Sequence, residues 1–391
     1  MSYQLSAGQF LNKLAWYPPA ETKIPLTALS LALFSLKDDF EEALGNYPGV
    51  KHCVLANSGR ALLALVLETL KKKDGGGRNE VLIPGYTCYS VAASVVRAGL
   101  TIRAYDVNPT TLCPDIDSLN AAITDDSLAI IVQYLFGLPS PINDLKGIAK
   151  KKDIYVIEDA AQALGGTLNG IPLGTLGDFG FYSFGRGKPL PVGSGGALIG
   201  KHEDLISELE LNKRKAGLTP LLKTAMVQLF SWPMLYWLPE LLPLGLGETV
   251  FDPRFEISAM PDVMKSVAKR ALPALEGLNR HRNKVATIYR EAFDNSFLIQ
   301  VSKEANPVYT RFPVLAGPEK VNNELKRSGV RRMYPNAIAD EEIIRPYLSP
   351  KQINTPGAST IATNLITLPT HMGINVNLAK EIAQKVKAAY R

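Results

Sequence analysis

The sequence predicts an α/β fold built on a mostly parallel, doubly wound sheet. Two observations predict it. From about residue 50 to 216, short apolar, β-branched runs alternate with stretches of helical period. Sharp polar or glycine-rich turns follow several of the runs. Strand–helix–strand alternation implies a parallel sheet sandwiched between helices.

The strand candidates, in order, are 53–57, 80–86, 101–107, 128–136, 153–160, 179–184 and 195–200. Helical patterns lie between several of them, at 59–73, 89–99, 142–152 and 203–215. After Gly217 the texture changes. Residues 224–239 carry no charge and are interrupted by Pro233 and Pro239. Such a run is short for a membrane span, and prolines break it. It predicts two short helical pieces bent near Trp232–Pro233, lying on a partner subunit or roofing the site. A lesser reading sets Trp232, Tyr236 and Trp237 into a membrane surface. A third region opens with a long helical pattern at 262–293. It continues through a strand-like run at 309–315, a helix near 318–328 and a closing amphipathic helix from 377. The expected division is a large domain over 1–254, with an apolar insert at 217–253, and a smaller α+β domain over 255–391.

Composition narrows the function classes. With three cysteines in 391 residues the chain is no disulfide scaffold. The first residues lack the apolar core of a signal peptide, so a cytoplasmic setting is expected. A net charge of +6 without a dense Lys/Arg tract favours small anionic ligands as much as nucleic acid, and no nucleic-acid partner is expected. No Cys or His spacing suits a metal, and none is expected. His52, His202 and His281 are expected at the surface, and Cys53 and Cys113 as small buried residues. His371 is a weaker candidate for the substrate end of a site.

In open α/β sheets ligands gather at the carboxyl ends of strands. Three turns there carry chemistry. In 56–60, Ser58 suits a helix N-cap and Gly59 permits close backbone approach, the makings of a phosphate cradle. In 156–166, Glu158 and Asp159 end an apolar strand, and a buried carboxylate requires a partner. In 177–200, Lys188 sits in a Gly/Pro-rich loop that can aim it inward as an amine nucleophile.

These turns, in this order and spacing, resemble the DegT/StrS-type sugar aminotransferases of the fold-type-I pyridoxal-phosphate (PLP) enzymes. The resemblance spans roughly residues 40–385 and rests on EVLIPGYT, DIYVIEDAAQALGG, GDFGFYSFGRGKPLPVGSGG, YTRFPVL and LITLPTH. It implies that Lys188 bonds covalently to PLP and that Asp159 keeps the pyridine nitrogen protonated. It implies that Gln162 lies beside the ring's phenolic oxygen, and that Gly59, Arg60 and Ser183 hold the phosphate. It further implies a homodimer that transfers an amino group from glutamate or glutamine to a keto-sugar. That sugar is expected to be nucleotide-linked and to serve polysaccharide or related sugar synthesis. The competing readings are a sugar dehydratase, against which Lys188 argues, and a non-enzymatic scaffold of the same fold.

The chain departs from the family's pattern in three places. Arg60 stands where threonine is usual. Cys88 stands where an aromatic residue usually stacks on the ring; it is expected to pack on the ring face itself, with Tyr86 or Tyr89 as an alternative source of the aromatic. The segment 254–262 lacks the Asn/Arg pair that reaches the neighbouring subunit, which leaves Arg254 as the expected stand-in.

Overall fold

A computed structural model describes residues 15–20, 23–32, 40–46, 53–209, 211–212, 218–241, 250–317 and 321–390. All seven expected strands form and join one sheet. They are β1 (Cys53–Ala56), β2 (Glu80–Pro84), β3 (Thr101–Tyr105), β4 (Ser127–Gln133), β5 (Tyr155–Asp159), β8 (Phe179–Ser183) and β9 (Gly196–Gly200). Two-residue strands β6 (Thr167–Leu168) and β7 (Ile171–Pro172) make a small side ribbon with β10 (Ala305–Asn306). The order across the main sheet is β1-β9-β8-β5-β4-β2-β3. Every neighbouring pair is parallel except the two that involve β9.

Both faces of this sheet are covered, which explains the unbroken apolar runs. Every residue of β2 and β4 is buried. Helix α3 (Gly59–Lys73) follows β1, after α1 (Leu26–Leu31) and α2 (Phe40–Asn46). Ser58 caps α3, its Oγ accepting from Ala61 N at 3.3 Å. Lys71, Lys72 and Lys73 close α3, where cations suit the negative end of the helix dipole.

The pattern at 262–293 divides into two helices, Asp262–Ala271 and Leu275–Ala292, joined by a single 3₁₀ turn at Leu272–Ala274. Pro273 is the reason: it has no N–H to continue the α-helical ladder. The C-terminal region carries a second, antiparallel sheet in the order β11-β13-β12, made of β11 (Arg311–Leu315), β12 (Arg331–Arg332) and β13 (Leu365–Pro369). Its β13, and the helix Pro356–Asn364 before it, were not expected as elements. The closing helix, Val376–Ala389, packs on Leu275–Ala292.

The apolar insert bends where its prolines predict. A helix at Thr219–Phe230 ends in a turn, and a second helix runs over Trp237–Leu241. Residue 217 and residues 242–249, with Pro243, lie outside the described residues, as does His52. The insert is tied down from two sides. Trp16 N donates to Pro233 O at 2.9 Å, and Glu240 pairs with Arg331 at 2.9 Å. Among the described residues no helix is long and apolar enough to cross a membrane.

The histidines differ from expectation. His202 is half-buried against the rings of Tyr155 and Phe179, beside Asp178. His281 is half-buried, its Nε2 donating to His371 O at 3.1 Å. His371 is buried: Nε2 donates to Pro18 O at 2.8 Å and Nδ1 accepts from Gly373 N at 3.1 Å. Nε2 thus holds segment 15–20 and Nδ1 its own loop, and His371 does not line the site cavity. Cys53 and Cys113 are half-buried rather than fully buried; desolvation still pushes the Cys53 thiol up to about 12.

Candidate active site

The site begins with strand alternation at the end of β5. Glu158 and Asp159 are consecutive, so they point to opposite faces of the sheet. Glu158 is fully enclosed and accepts from Tyr134 Oη at 2.5 Å, Gly174 N at 2.8 Å and Gly177 N at 2.5 Å. Burial raises its pKa against the pull of those donors. It fastens the 174–177 loop beneath the sheet and takes no part in the cavity.

Asp159 faces the other way, into a cavity of about 320 Å³. Its Oδ2 accepts from Gln133 Nε2 at 2.9 Å and its Oδ1 from Ala161 N at 3.1 Å. Burial raises its pKa, and the nearby charge of Lys188 partly offsets that. Lys188, half-buried, lines the same cavity. It follows Gly187, whose φ of +73° suits a residue without a side chain, and its N–H closes a tight turn onto Gly185 O at 3.3 Å.

The remaining predicted residues, Gly59, Arg60, Cys88, Gln162 and Ser183, line this cavity too. Gly59 opens α3 directly against β8: a Cβ there would lie 3.1 Å from Ser183 Cβ. Backbone N–H groups at the α3 N-terminus and the Ser183 hydroxyl thereby share one corner. Gln162 is fixed through its carbonyl, Oε1 accepting from Phe136 N at 3.2 Å and Thr310 Oγ1 at 3.0 Å. The amide nitrogen is left with two donors for the cavity.

One expectation is corrected. Tyr86 and Tyr89 do not reach the cavity; both pack against Tyr334, at ring separations of 5.5 and 6.0 Å, and Tyr334 is the aromatic residue in the wall beside Cys88. Arg254 lies in an exposed loop, 3.5 Å from Asp252. Arg60 neither folds fully inward nor floats in solvent. Its guanidinium sits over the Phe255 ring, 4.7 Å from the centroid.

Arg60 and Arg186 also line a second cavity, of about 650 Å³, between the α3 N-terminus and the insert. Lys223 adds a third cation there, Glu256 is its one carboxylate among the described residues, and Asn57 Oδ1 and Ser194 Oγ lie in it without a partner.

Several wall residues escaped the sequence reading: Gln133, Arg186, Tyr236, Arg311 and Tyr334. Gln133 had a signal, as the one amide inside the otherwise apolar run 128–136. Tyr236 also settles which way the insert faces. It is buried and lines the cavity, whereas Trp232 is 62% exposed. The insert is thus a roof on one side and a free apolar surface on the other.

The chain is similar to several known proteins. The L-glutamine:2-deoxy-scyllo-inosose aminotransferase of Streptomyces lividus is 34% identical over 171 residues, 44% of this chain and 40% of that protein. The GDP-perosamine synthase of Caulobacter vibrioides is 34% identical over 182 residues, 46% of this chain and 48% of that protein. The matched stretch thus spans less than half the length of these relatives. A Streptococcus pneumoniae structure in a PLP form superposes with a TM-score of 0.74 at 22% identity, covering 96% of this chain and 98% of that one. The sequence pattern of one family of PLP-dependent enzymes matches residues 30–387. The chain belongs to the DegT/DnrJ/EryC1/StrS aminotransferase family.

Proposed function

We propose that the protein is a PLP-dependent aminotransferase moving an amino group from glutamate or glutamine to a nucleotide-linked keto-sugar. The observation that carries this is the buried Asp159 carboxylate, held by Gln133 and sharing a cavity with Lys188. The wall fits the cofactor elsewhere too. The corner where Gly59 meets Ser183 suits a phosphate, and the Gln162 amide suits an anionic ring oxygen.

When bound, PLP supplies an electron sink for the carbanion formed at the donor's α-carbon. Asp159 keeps a proton on the ring nitrogen, because a carboxylate beside a cationic N–H favours the charged form. Lys188 Nζ would hold the cofactor covalently at rest; when free, it would take the proton from the donor's α-carbon and pass it to the cofactor in the same half-reaction, and move a proton the opposite way for the keto-sugar. Tyr236, Tyr334 and the 18–20 segment exclude water.

The finer assignments rest on the second cavity and the free surface. Arg60, Arg186 and Lys223 suit the diphosphate of a sugar nucleotide, and one relative, the GDP-perosamine synthase, bears a nucleotide in its name. The reading includes a homodimer, a division into domains near residues 254–255, and a cytoplasmic role in polysaccharide or related sugar synthesis. Borohydride reduction of the purified protein followed by peptide mapping tests the core of it: a pyridoxyl group on Lys188 is expected, and an unmodified Lys188 in protein that retains PLP would contradict it.

A further inference from the structure

One segment roofs both cavities. Thr219, Lys223, Thr224 and Val227, on the helix Thr219–Phe230, line the second cavity, and Tyr236, past the bend at Pro233, lines the first. The two cavities meet where Arg60 and Arg186 stand, since both arginines line both. An acceptor whose keto carbon meets Lys188 and whose diphosphate meets Arg60, Arg186 and Lys223 has its hexose in between, beneath the insert.

Among the described residues, three aromatic rings line the cofactor cavity: Phe181, Tyr236 and Tyr334. Phe181 belongs to the phosphate corner, where a Cβ on Gly59 would lie 3.4 Å from its ring. Tyr334 stands beside Cys88. Tyr236 is the ring on the insert side, close enough to Arg186 to feel its charge. The chain holds it there from both directions. Tyr236 N donates to Trp232 O at 2.8 Å, Pro233 O accepts from Trp16 N at 2.9 Å, and Glu240 pairs with Arg331 at 2.9 Å. Burial first, and the Glu240 carboxylate beside it second, push the Tyr236 phenol up to about 12, so it remains a neutral hydroxyl. With that hydroxyl turned to Glu240, the ring is what Tyr236 offers the cavity. The C–H face of a pyranose is apolar and packs well on an aromatic ring.

We propose that Tyr236 stacks on the hexose of the acceptor and so selects a pyranose carried on a diphosphate. This rests on the aminotransferase reading with a nucleotide-linked acceptor, and it adds the residue that recognises the sugar itself. The insert is then a substrate-recognition element as well as a roof.

The test measures what the hexose adds to binding. Calorimetry on the PLP-loaded protein uses GDP, GDP-mannose, UDP and UDP-glucose, none of which carries a keto group to react. In the wild type at least one sugar nucleotide should bind on the order of 10-fold tighter than its own nucleoside diphosphate. Tyr236→Phe should keep that ratio. Tyr236→Leu, which fills the space without a ring, should bring the ratio to one while leaving the affinity for the bare nucleoside diphosphate unchanged. A wild-type ratio of one overturns the proposal. So does a ratio that survives in Tyr236→Leu, or one lost in Tyr236→Phe, which would assign recognition to the hydroxyl. Hydrogen exchange on the wild-type protein covers the case in which Tyr236→Leu does not fold. The sugar nucleotide should slow exchange across 232–238 more than its nucleoside diphosphate does, and equal protection also overturns the proposal. Binding by none of the four ligands would remove the nucleotide-linked acceptor, and this proposal with it. Wild-type protein that holds PLP yet never reacts with glutamate or glutamine would instead defeat the aminotransferase reading and leave the binding ratios standing.

Discussion

Gln133 and Asp159 stand opposite one another in the β4–β5 register, and the amide donates to the carboxylate at 2.9 Å. The pair is buried, and one residue comes from each of two adjacent strand ends. Asp159 is thus fixed in direction before any ligand arrives. Asp159→Asn should retain the fold and bind PLP, yet lose at least about 100-fold in kcat, because an amide cannot keep the ring nitrogen protonated. Steady-state kinetics beside a cofactor titration check this.

The same carboxylate gives a pH signature in the cofactor-free protein. Burial raises the folded-state pKa of Asp159. A raised carboxyl pKa means that the folded state holds its proton more tightly than the unfolded chain. Wild-type stability should therefore rise relative to Asp159→Asn as pH falls through the folded-state value toward the ordinary aspartate range. That gain should vanish above the folded-state value. Urea unfolding of both proteins across this interval measures it.

Glu158 should behave as the opposite of its neighbour. Three donors converge on it, so Glu158→Gln sets an NH₂ group against an N–H or O–H. A stability loss of about 2 kcal/mol is expected from the unmet donor. The protein that remains folded should keep its kcat. Denaturant melts and single-turnover rates separate the two effects.

How much of this was legible in the sequence follows from the kind of signal each part carries. The seven strands are continuous apolar runs between polar turns, and local pattern suffices for them. Lys188, Asp159, Gln162 and Ser183 lie in two short motifs. The division of labour between Glu158 and Asp159 needs the strand's phase, which adjacent acids do not reveal. Arg311, from the second sheet, and Tyr334, from the segment just after β12, enter the cavity more than 120 positions after Lys188, through tertiary packing that no local pattern encodes. The break at Pro273 was written in the residue itself. The structural task of His371 depends on a carbonyl at Pro18, remote in the chain.

The outer face of the insert bears on assembly. Leu222, Met226 and Trp232 are exposed while Tyr236 turns inward. Replacing those three with Lys, Glu and Ser should convert a dimer to a monomer in light scattering at micromolar concentration, since an apolar face of that kind suits a subunit contact. A wild-type monomer would remove the homodimer. A variant that stays dimeric but no longer sediments with lipid vesicles would favour the membrane reading.

Lys188→Ala should cost turnover and little else. The side chain sits in a half-buried loop, so unfolding free energy should change by no more than about 0.5 kcal/mol while transamination falls to background. Full activity in this variant would remove Lys188 from the site.

The most direct measurement is the visible spectrum of the purified protein, recorded with PLP and then after glutamate or glutamine is added without a keto-acceptor. A visible band that depends on Lys188 and is bleached by the donor is the predicted result. Protein that acquires no such band with PLP, or that holds one neither donor alters, would contradict the account.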